Sequence, residues 1–246
     1  MNLFGTILIN PFYNAFIYLI GIVPHGDVGL AIIAMTLIIR AVFYPAFSAS
    51  IRTQMGMQAV QGELDEINRK YKDNAEEKAR RTMDLFREHK VRPFAGFVAL
   101  LVQIPIFIAL SYAFFREGLP HVATNLLYPF VHAPAQVNLE FLGFLNLLAS
   151  HNFWLAALVG ILQYLVVKLS LMRINRNAQS LTPEKAQAQR MQQNMMLYAM
   201  PVLYAVLCFS LPSAAGLYFA VGNLISLGQE VLIRRSIQRH RESLAK

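Results

Sequence analysis

Apolar residues in this chain are gathered into long continuous runs, unlike the spaced apolar positions of a soluble core. A helix needs about 20 apolar residues to cross the roughly 30 Å hydrocarbon layer of a bilayer. Backbone groups in lipid must find partners within their own segment, so each such run is expected to be helical. Five runs are long enough: residues 28–47, 94–115, 152–171, 195–212 and 214–233. The pattern predicts an all-α membrane protein with a five-helix transmembrane core.

Residues 1–27, before the first clear span, have two interpretations. Residues 3–23 are apolar enough to cross the bilayer, but Asn10-Pro11 and Asn14 interrupt the run, and a turn signal follows at 24–27. The segment is either a sixth span or, as we prefer, a short interfacial helix along the outer leaflet. It has neither a basic start nor a small-residue cleavage site, so we expect Met1 to lie near the mature N-terminus.

The basic residues are distributed unevenly between the polar segments. Residues 48–92, 172–194 and 234–246 are rich in Lys and Arg, whereas 116–151 contains one basic residue, Arg116. Cytoplasmic loops of membrane proteins carry the excess of positive charge. The three basic segments are therefore predicted to be cytoplasmic, including the C-terminus, and the 116–151 loop is predicted to face outward.

The 48–92 segment is predicted to be a helical hairpin. Apolar residues recur in it at helical spacing on both sides of a turn near Asp73-Asn74, and acid–base pairs stand four residues apart. A solvated arm is the simplest interpretation. The alternative is that this methionine-bearing arm also receives apolar segments of other proteins. The third polar segment, 172–194, contains a helix start at 182–184.

Composition narrows the classes of function. Hydrophobic residues make up 56% of the 246 residues and charged residues only 15%, against about 25% in soluble domains. One cysteine, Cys208, excludes a disulfide within the chain. All six histidines lie outside the five predicted spans, and no acid lies well inside one. We therefore predict that the protein is not an enzyme and has no metal or cofactor.

Arg40 is the one formal charge well inside a predicted span. It lies ten residues after Leu30, or about 15 Å along a helix, where a charge costs about 2.5–3.5 kcal/mol on insertion scales. It either extends to the cytoplasmic interface or, as we favour, faces a hydrated cavity. No acidic residue lies well inside a span. Glu230 comes closest to doing so, and it is near the end of the last span. An arginine placed so is expected to attract visiting anions.

Other polar side chains in the spans are candidates for the same hydrophilic groove. Each alone is better explained by hydrogen bonding between helices, but taken together with Arg40 they fit a shared groove equally well. Three prolines, Pro45, Pro105 and Pro201, are expected to kink their helices and loosen the packing around the groove. The candidates are Gln103, Ser111, Gln163, Asn223, Ser226 and Gln229.

Several of these residues lie in stretches that resemble one family. LIIRAVFYP at 37–45 resembles the arginine-bearing first core helix of the YidC/Oxa/Alb membrane insertases, and LVQIPIFIAL at 101–110 resembles their Gln-x-Pro helix. Residues 200–230 are similar to the last two helices, and 10–24 to the short helix before the core in bacterial members. The resemblance extends from about residue 10 to 235.

The resemblance implies a function and a site. It implies an insertase and chaperone that inserts nascent integral membrane proteins through a groove carrying Arg40, without nucleotide hydrolysis. Gln103, Gln163, Tyr218 and Asn223 match groove or substrate-facing positions. We further expect a compact, monomeric, multi-pass protein of the bacterial plasma membrane, without a large periplasmic domain, and an organelle-encoded version is the alternative. A Sec-type translocon and the ribosome remain open as partners.

Some features depart from the family or leave alternatives open. The turn before the second span is RPFAGFVA at 92–99, without the family's usual small residues, and Ala214 stands where glycine is common. A multi-pass transporter or channel is the alternative function. It would show matched halves or intramembrane acids, which the sequence lacks. The basic tail fits either anionic lipids or ribosomal RNA.

Overall fold

The computed structural model describes residues 9–89, 91, 104–112, 114, 119–171, 187, 191 and 193–244, with the backbone alone at 54–55, 58–59 and 234–244. This part of the chain is mostly helical, as predicted for an all-α membrane protein. Its helices are α1 (Asn10–Ile22), α2 (Val28–Val42), α3 (Tyr44–Ala59), α4 (Gln61–Lys70), α5 (Ala75–Glu88), α6 (104–111), α7 (Phe153–Leu171), α8 (Met200–Ser210) and α9 (Ser213–Leu244). Between α6 and α7, strand β1 (Glu140–Phe141) pairs antiparallel with β2 (Leu145–Asn146).

Two described helices are long and apolar enough to cross a membrane, α7 and the first part of α9, Ser213–Ile233. A third crossing exists if α2 and Tyr44–Thr53 form one bent span. Met195–Ser210 is a shorter apolar helix that joins a π-helical turn, Met195–Ala199, to α8. Most of the predicted 94–115 span is outside the described residues. The five-span count therefore remains a prediction.

The first predicted span, 28–47, is not one straight helix. α2 ends at Val42, α3 begins at Tyr44, and the two axes differ by 67°. Pro45 stands in the first turn of α3. Proline has no N–H to donate and its ring clashes with the carbonyl four residues before it, so the helix cannot continue through it. The kink expected at Pro45 is thus a complete break.

α1 is bonded to the loop between α6 and α7 by the side chains of Asn14, which interrupts its apolar run, and Tyr13. The Asn14 amide donates to the carbonyls of Asn10 and Leu126, both at 2.9 Å, and its oxygen accepts from the Tyr128 N–H. The Tyr13 hydroxyl accepts from the Ala123 N–H at 3.0 Å. The described helix of 13 residues is about 20 Å long. Both the spanning and the interfacial interpretation of residues 3–23 stay open.

Small residues bring α7 close to α8 and α9. A Cβ at Gly216 would lie 2.7 Å from the Leu155 side chain, and one at Gly160 would lie 3.2 Å from Ala205. Between these helices Val159 and Cys208 are buried. Close approach at small residues is the usual way in which membrane helices pack.

α4 and α5 form the expected helical hairpin. The Asn74 side chain caps α5 by accepting from the Glu77 N–H at 3.0 Å. Val60, Leu85 and Phe86 are buried where the two helices meet. The hairpin is therefore held by its own apolar cluster. Its cytoplasmic location remains a prediction from the charge pattern.

Candidate functional site

Arg40 lies in the last turn of α2, and its guanidinium contacts α9. Nη1 donates to Oε1 of Gln229 at 3.3 Å, and Nη2 donates to the carbonyl of Gly222 at 3.3 Å. The Arg40 side chain is neither fully buried nor fully exposed. Its two acceptors are neutral, so these bonds orient the guanidinium without neutralising its charge.

The α9 surface facing Arg40 follows from helical periodicity. Tyr218, Gly222, Ser226 and Gln229 are separated by four, four and three residues, so they lie on one face of the helix. Ser226 Oγ donates to the Gly222 carbonyl at 2.9 Å, the same oxygen that accepts from Arg40. The predicted residues Ser226 and Gln229 therefore belong to the Arg40 site.

Phe47 on α3 completes the contact and was not among the predicted site residues. The centre of its ring lies 4.3 Å from the Arg40 guanidinium carbon, a cation–π distance. Phe47 is seven residues after Arg40, which is two turns away in a straight helix. The break at Phe43 brings the ring back to the guanidinium. An aromatic residue seven positions after Arg40 is visible in the sequence. The helix break that brings its ring to the guanidinium is not.

The α9 contacts of Arg40 lie between the middle and the end of the apolar part of that helix. At 1.5 Å per residue, Gly222 is about 13 Å and Gln229 about 24 Å from the start of α9 at Ser213. The part of α9 that is long and apolar enough to cross a membrane is Ser213–Ile233, so Gly222 lies near its middle and Gln229 lies near its end. The choice between an intramembrane arginine and one that extends to the interface therefore remains a prediction.

A polar layer on α3 also went unrecognised. Ser48, Ser50 and Thr53 are buried, as are Gln229 and Glu230 on α9, which contacts α3. Sequence reasoning assigned these α3 residues to the start of a solvated hairpin. Their small hydroxyl side chains, directly after a membrane span, were the available signal.

The remaining predicted site residues are more scattered. Tyr218 is buried on the Arg40-facing side of α9 and contacts the ring of Phe219. Asn223 follows Gly222, and its buried amide nitrogen has no hydrogen-bond partner among the described residues. Gln163 is half-buried midway along α7, and the described contacts do not join it to Arg40. Gln103 lies outside the described residues.

Ser111 is separated from Arg40. It lines an apolar cavity beside Phe107 and the α8–α9 corner, where Leu211 and Ala214 are located. That corner is at the opposite end of the α9 span from Gln229, so the structure does not bring Ser111 into the Arg40 site. Ser111 was a candidate for the groove because it is a polar residue in an apolar span. Polarity alone does not show at which end of the helix bundle a residue lies.

Together these features define a helical membrane protein that holds a cationic side chain among neutral polar groups between its helices. The chain matches the family model described as "60Kd inner membrane protein" over residues 20–241. It therefore belongs to that family, the YidC/Oxa family that its sequence resembles.

Similar proteins support the same assignment. The chain is 33% identical over 238 residues to "Membrane protein insertase YidC" of Oceanobacillus iheyensis, covering 95% of this chain and 84% of that protein. It is 31% identical over 212 residues to the protein of that name in Geobacter sulfurreducens, and 29% over 213 residues to that of Pelobacter propionicus. Both matches cover 86% of this chain but only 34% and 36% of those longer relatives.

Proposed function

We propose that the chain is a membrane protein insertase and chaperone, which inserts nascent integral membrane proteins and helps them to fold. The names of its relatives support the general activity. The observation that supports a mechanism is the Arg40 guanidinium, which is bonded between α2 and α9 to the neutral groups of Gln229 and Gly222. In this proposal Arg40 is the centre of a hydrophilic groove, and no nucleotide is hydrolysed.

The hydrogen bonds of Arg40 suit a transient exchange of partners. At 3.3 Å both are longer than the usual 2.7–2.9 Å of a charged nitrogen bound to a carboxylate. The guanidinium already carries the charge in its bonds to Gln229 and Gly222, and a carboxylate would add a second charge and so an attraction between ions that neutral acceptors lack. A carboxylate in the polar tail of a client therefore displaces Gln229 and Gly222 from Arg40, and they replace it when the tail leaves.

The apolar part of the client supplies the driving force. Val202, Leu203 and Val206 on α8 are exposed in the protein alone, so they offer an apolar surface to lipid or to a client helix. Burial of a client helix yields about 25 cal/mol per Å² of apolar area. An outside-positive potential adds about 2.3 kcal/mol per 100 mV for each negative charge moved outward.

The proposed setting is the bacterial plasma membrane, crossed several times, with the C-terminus in the cytoplasm. The hairpin α4–α5 is then placed to meet clients before they enter the bilayer. A Sec-type translocon and the ribosome are the candidate partners. Sedimentation with ribosomes, with and without residues 234–246 and across a salt series, separates a ribosomal role of the tail from simple attraction to anionic lipid.

Reconstitution tests the activity itself. Liposomes containing the purified chain as their only protein are given a single-span client made in a lysate and then freed of nucleotide. We expect protease-protected client to accumulate above the level of protein-free liposomes. Equal protection in both would contradict the proposal.

Crosslinking tests the route. A photoreactive amino acid at position 40, 103 or 223 is expected to crosslink to a stalled nascent membrane protein. The same probe at Trp154, at the far end of α7, serves as the control. Crosslinking from position 154 alone would show that clients do not pass Arg40.

A further inference from the structure

The loop that is predicted to face outward carries a short β-hairpin with an apolar tip. Strands β1 and β2 are joined by Leu142, Gly143 and Phe144. The side chains of Leu142 and Phe144 are 63% and 77% exposed. The backbone around the tip is held by bonds such as that from the Leu147 N–H to the Leu139 carbonyl, at 2.9 Å. The folded backbone therefore keeps the side chains of Leu142 and Phe144 exposed.

The backbone of the tip makes these apolar residues notable. Leu142 has φ of 54° and Gly143 has φ of 75°, both in the left-handed region. Asn, Asp and Gly are favoured at such turn positions, whereas a leucine there has an unfavourable backbone conformation. In a turn that faces water, the Leu142 side chain contributes no stabilising burial to offset its unfavourable backbone conformation. A turn facing lipid gains the transfer of an apolar side chain out of water.

The hairpin is fixed at the level of the outward helix ends. Phe141 is buried against Gly29, the second residue of α2, and the Val28 N–H donates to the Asn138 carbonyl at 3.0 Å. On the other side the Ala214 N–H, in the first turn of α9, donates to the Leu147 carbonyl at 3.0 Å. Both helix ends are predicted to lie at the outer surface of the bilayer.

An exposed apolar face on α7 begins at the same level. Trp154, in its first turn, is 82% exposed, and it is followed by exposed Leu158, Ile161 and Leu165 at helical spacing. That stripe faces lipid if α7 spans the bilayer, with Trp154 at the interfacial position that tryptophan prefers. The lipid surface therefore reaches the layer of the molecule that contains the hairpin.

Charge favours lipid over a protein as the occupant of this surface. Within residues 119–151, Glu140 is the only Asp, Glu, Lys or Arg. A loop that docks a protein usually surrounds its apolar centre with a polar, charged rim. We propose that the hairpin tip, Leu142–Phe144, inserts into the outer leaflet and anchors the outward loop to the membrane surface. This anchor is independent of the Arg40 site.

Tryptophan fluorescence tests the anchor directly in the full-length protein. Trp154 is the only tryptophan, so Phe144→Trp in a Trp154→Phe background places a single fluorophore at the tip. Vesicles contain phosphatidylcholine brominated at a shallow or a deep acyl position. We expect blue-shifted emission, stronger quenching by the shallow bromine, and little quenching by external iodide.

A matched control uses Gln136→Trp in the same background, since Gln136 is an exposed polar residue of the same loop. Its emission is expected to respond to iodide, which shows that the quencher reaches the loop. Iodide quenching at position 144 without bromine quenching would overturn the proposal. Shielding of position 144 from both quenchers would overturn it too, because the tip would then be covered by protein.

Discussion

At the scale of single residues, the chemistry of the site is the contact between one cation and neutral acceptors. Gln229 can be replaced by glutamate with almost no change of shape. Its Oε1 lies 3.3 Å from Arg40, so a carboxylate there would form an ion pair with the guanidinium. The groove would then lose its free positive charge while Arg40 itself remained.

We predict that Gln229→Glu slows insertion of a client with an acidic tail. A charged hydrogen bond contributes about 1.5–3 kcal/mol, which corresponds to a rate loss of roughly tenfold or more. The measurement is the initial rate of client protection in proteoliposomes. Gln229→Leu, which removes the acceptor without adding charge, is the control and is expected to keep most of the activity. Wild-type rates in the glutamate variant would contradict the exchange of partners at Arg40.

The sequence alone singled out Arg40, Ser226 and Gln229, which the structure brings together, because charged and polar residues are costly inside an apolar span. It did not identify the Gly222 carbonyl, since a backbone group has no sequence signal. Phe47 was missed because its role depends on the break at Phe43. Ser111 was placed in the groove because polarity along a span does not reveal which end of the bundle it faces.

At the scale of elements, the β1–β2 hairpin depends on a close approach to α2. A Cβ at Gly29 would overlap the ring of Phe141, whereas one at Gly21 in α1 would meet no atom within 4 Å. These two helical glycines therefore form a matched pair. One is required by packing, and the other is not.

We predict that Gly29→Ala destabilises the protein by about 1–3 kcal/mol, the usual cost of overpacking. Gly21→Ala is expected to be neutral or to stabilise by about 0.5–1 kcal/mol, because alanine favours the helix. Thermal unfolding of both variants in the same detergent gives the comparison. Equal effects of the two substitutions would mean that Phe141 does not dock on α2 as described.

The α4–α5 hairpin offers a test of local structure. Asn74→Ala removes the cap of α5 and is expected to cost about 1 kcal/mol. Asn74→Asp keeps an acceptor at the same position and should retain the cap. The readout is amide hydrogen exchange in Ala75–Glu88. Similar exchange in all three proteins would show that the cap contributes nothing to α5.

Helices, turns and the hairpin arm followed from local patterns, because apolar periodicity and capping residues act over a few positions. The docking of the loop between α6 and α7 could not be predicted from such local patterns. It depends on pairs far apart in sequence, such as Asn14 with Leu126 and Asn138 with Val28. In the sequence, Asn14 was only an interruption of an apolar run, and its partners became visible only in three dimensions.

At the scale of the whole molecule, the structure has two distinct levels. The level that is predicted to face outward contains α1, the β-hairpin and the first turns of α2, α7 and α9. The second level contains Arg40 with Gly222 and Gln229 on α9, nearer the end predicted to be cytoplasmic. Under the proposed function, clients enter from the cytoplasm, meet the cation part of the way across, and leave sideways into lipid.

The central claim is that the positive charge of Arg40 holds an acidic client tail within the membrane. The most direct measurement compares the native protein, Arg40→Lys and Arg40→Ala with two clients, one acidic in its tail and one with the matching amides. We predict that Arg40→Ala slows only the acidic client and that Arg40→Lys restores much of its rate. Unchanged insertion of the acidic client by Arg40→Ala, at equal protein stability, would contradict the account.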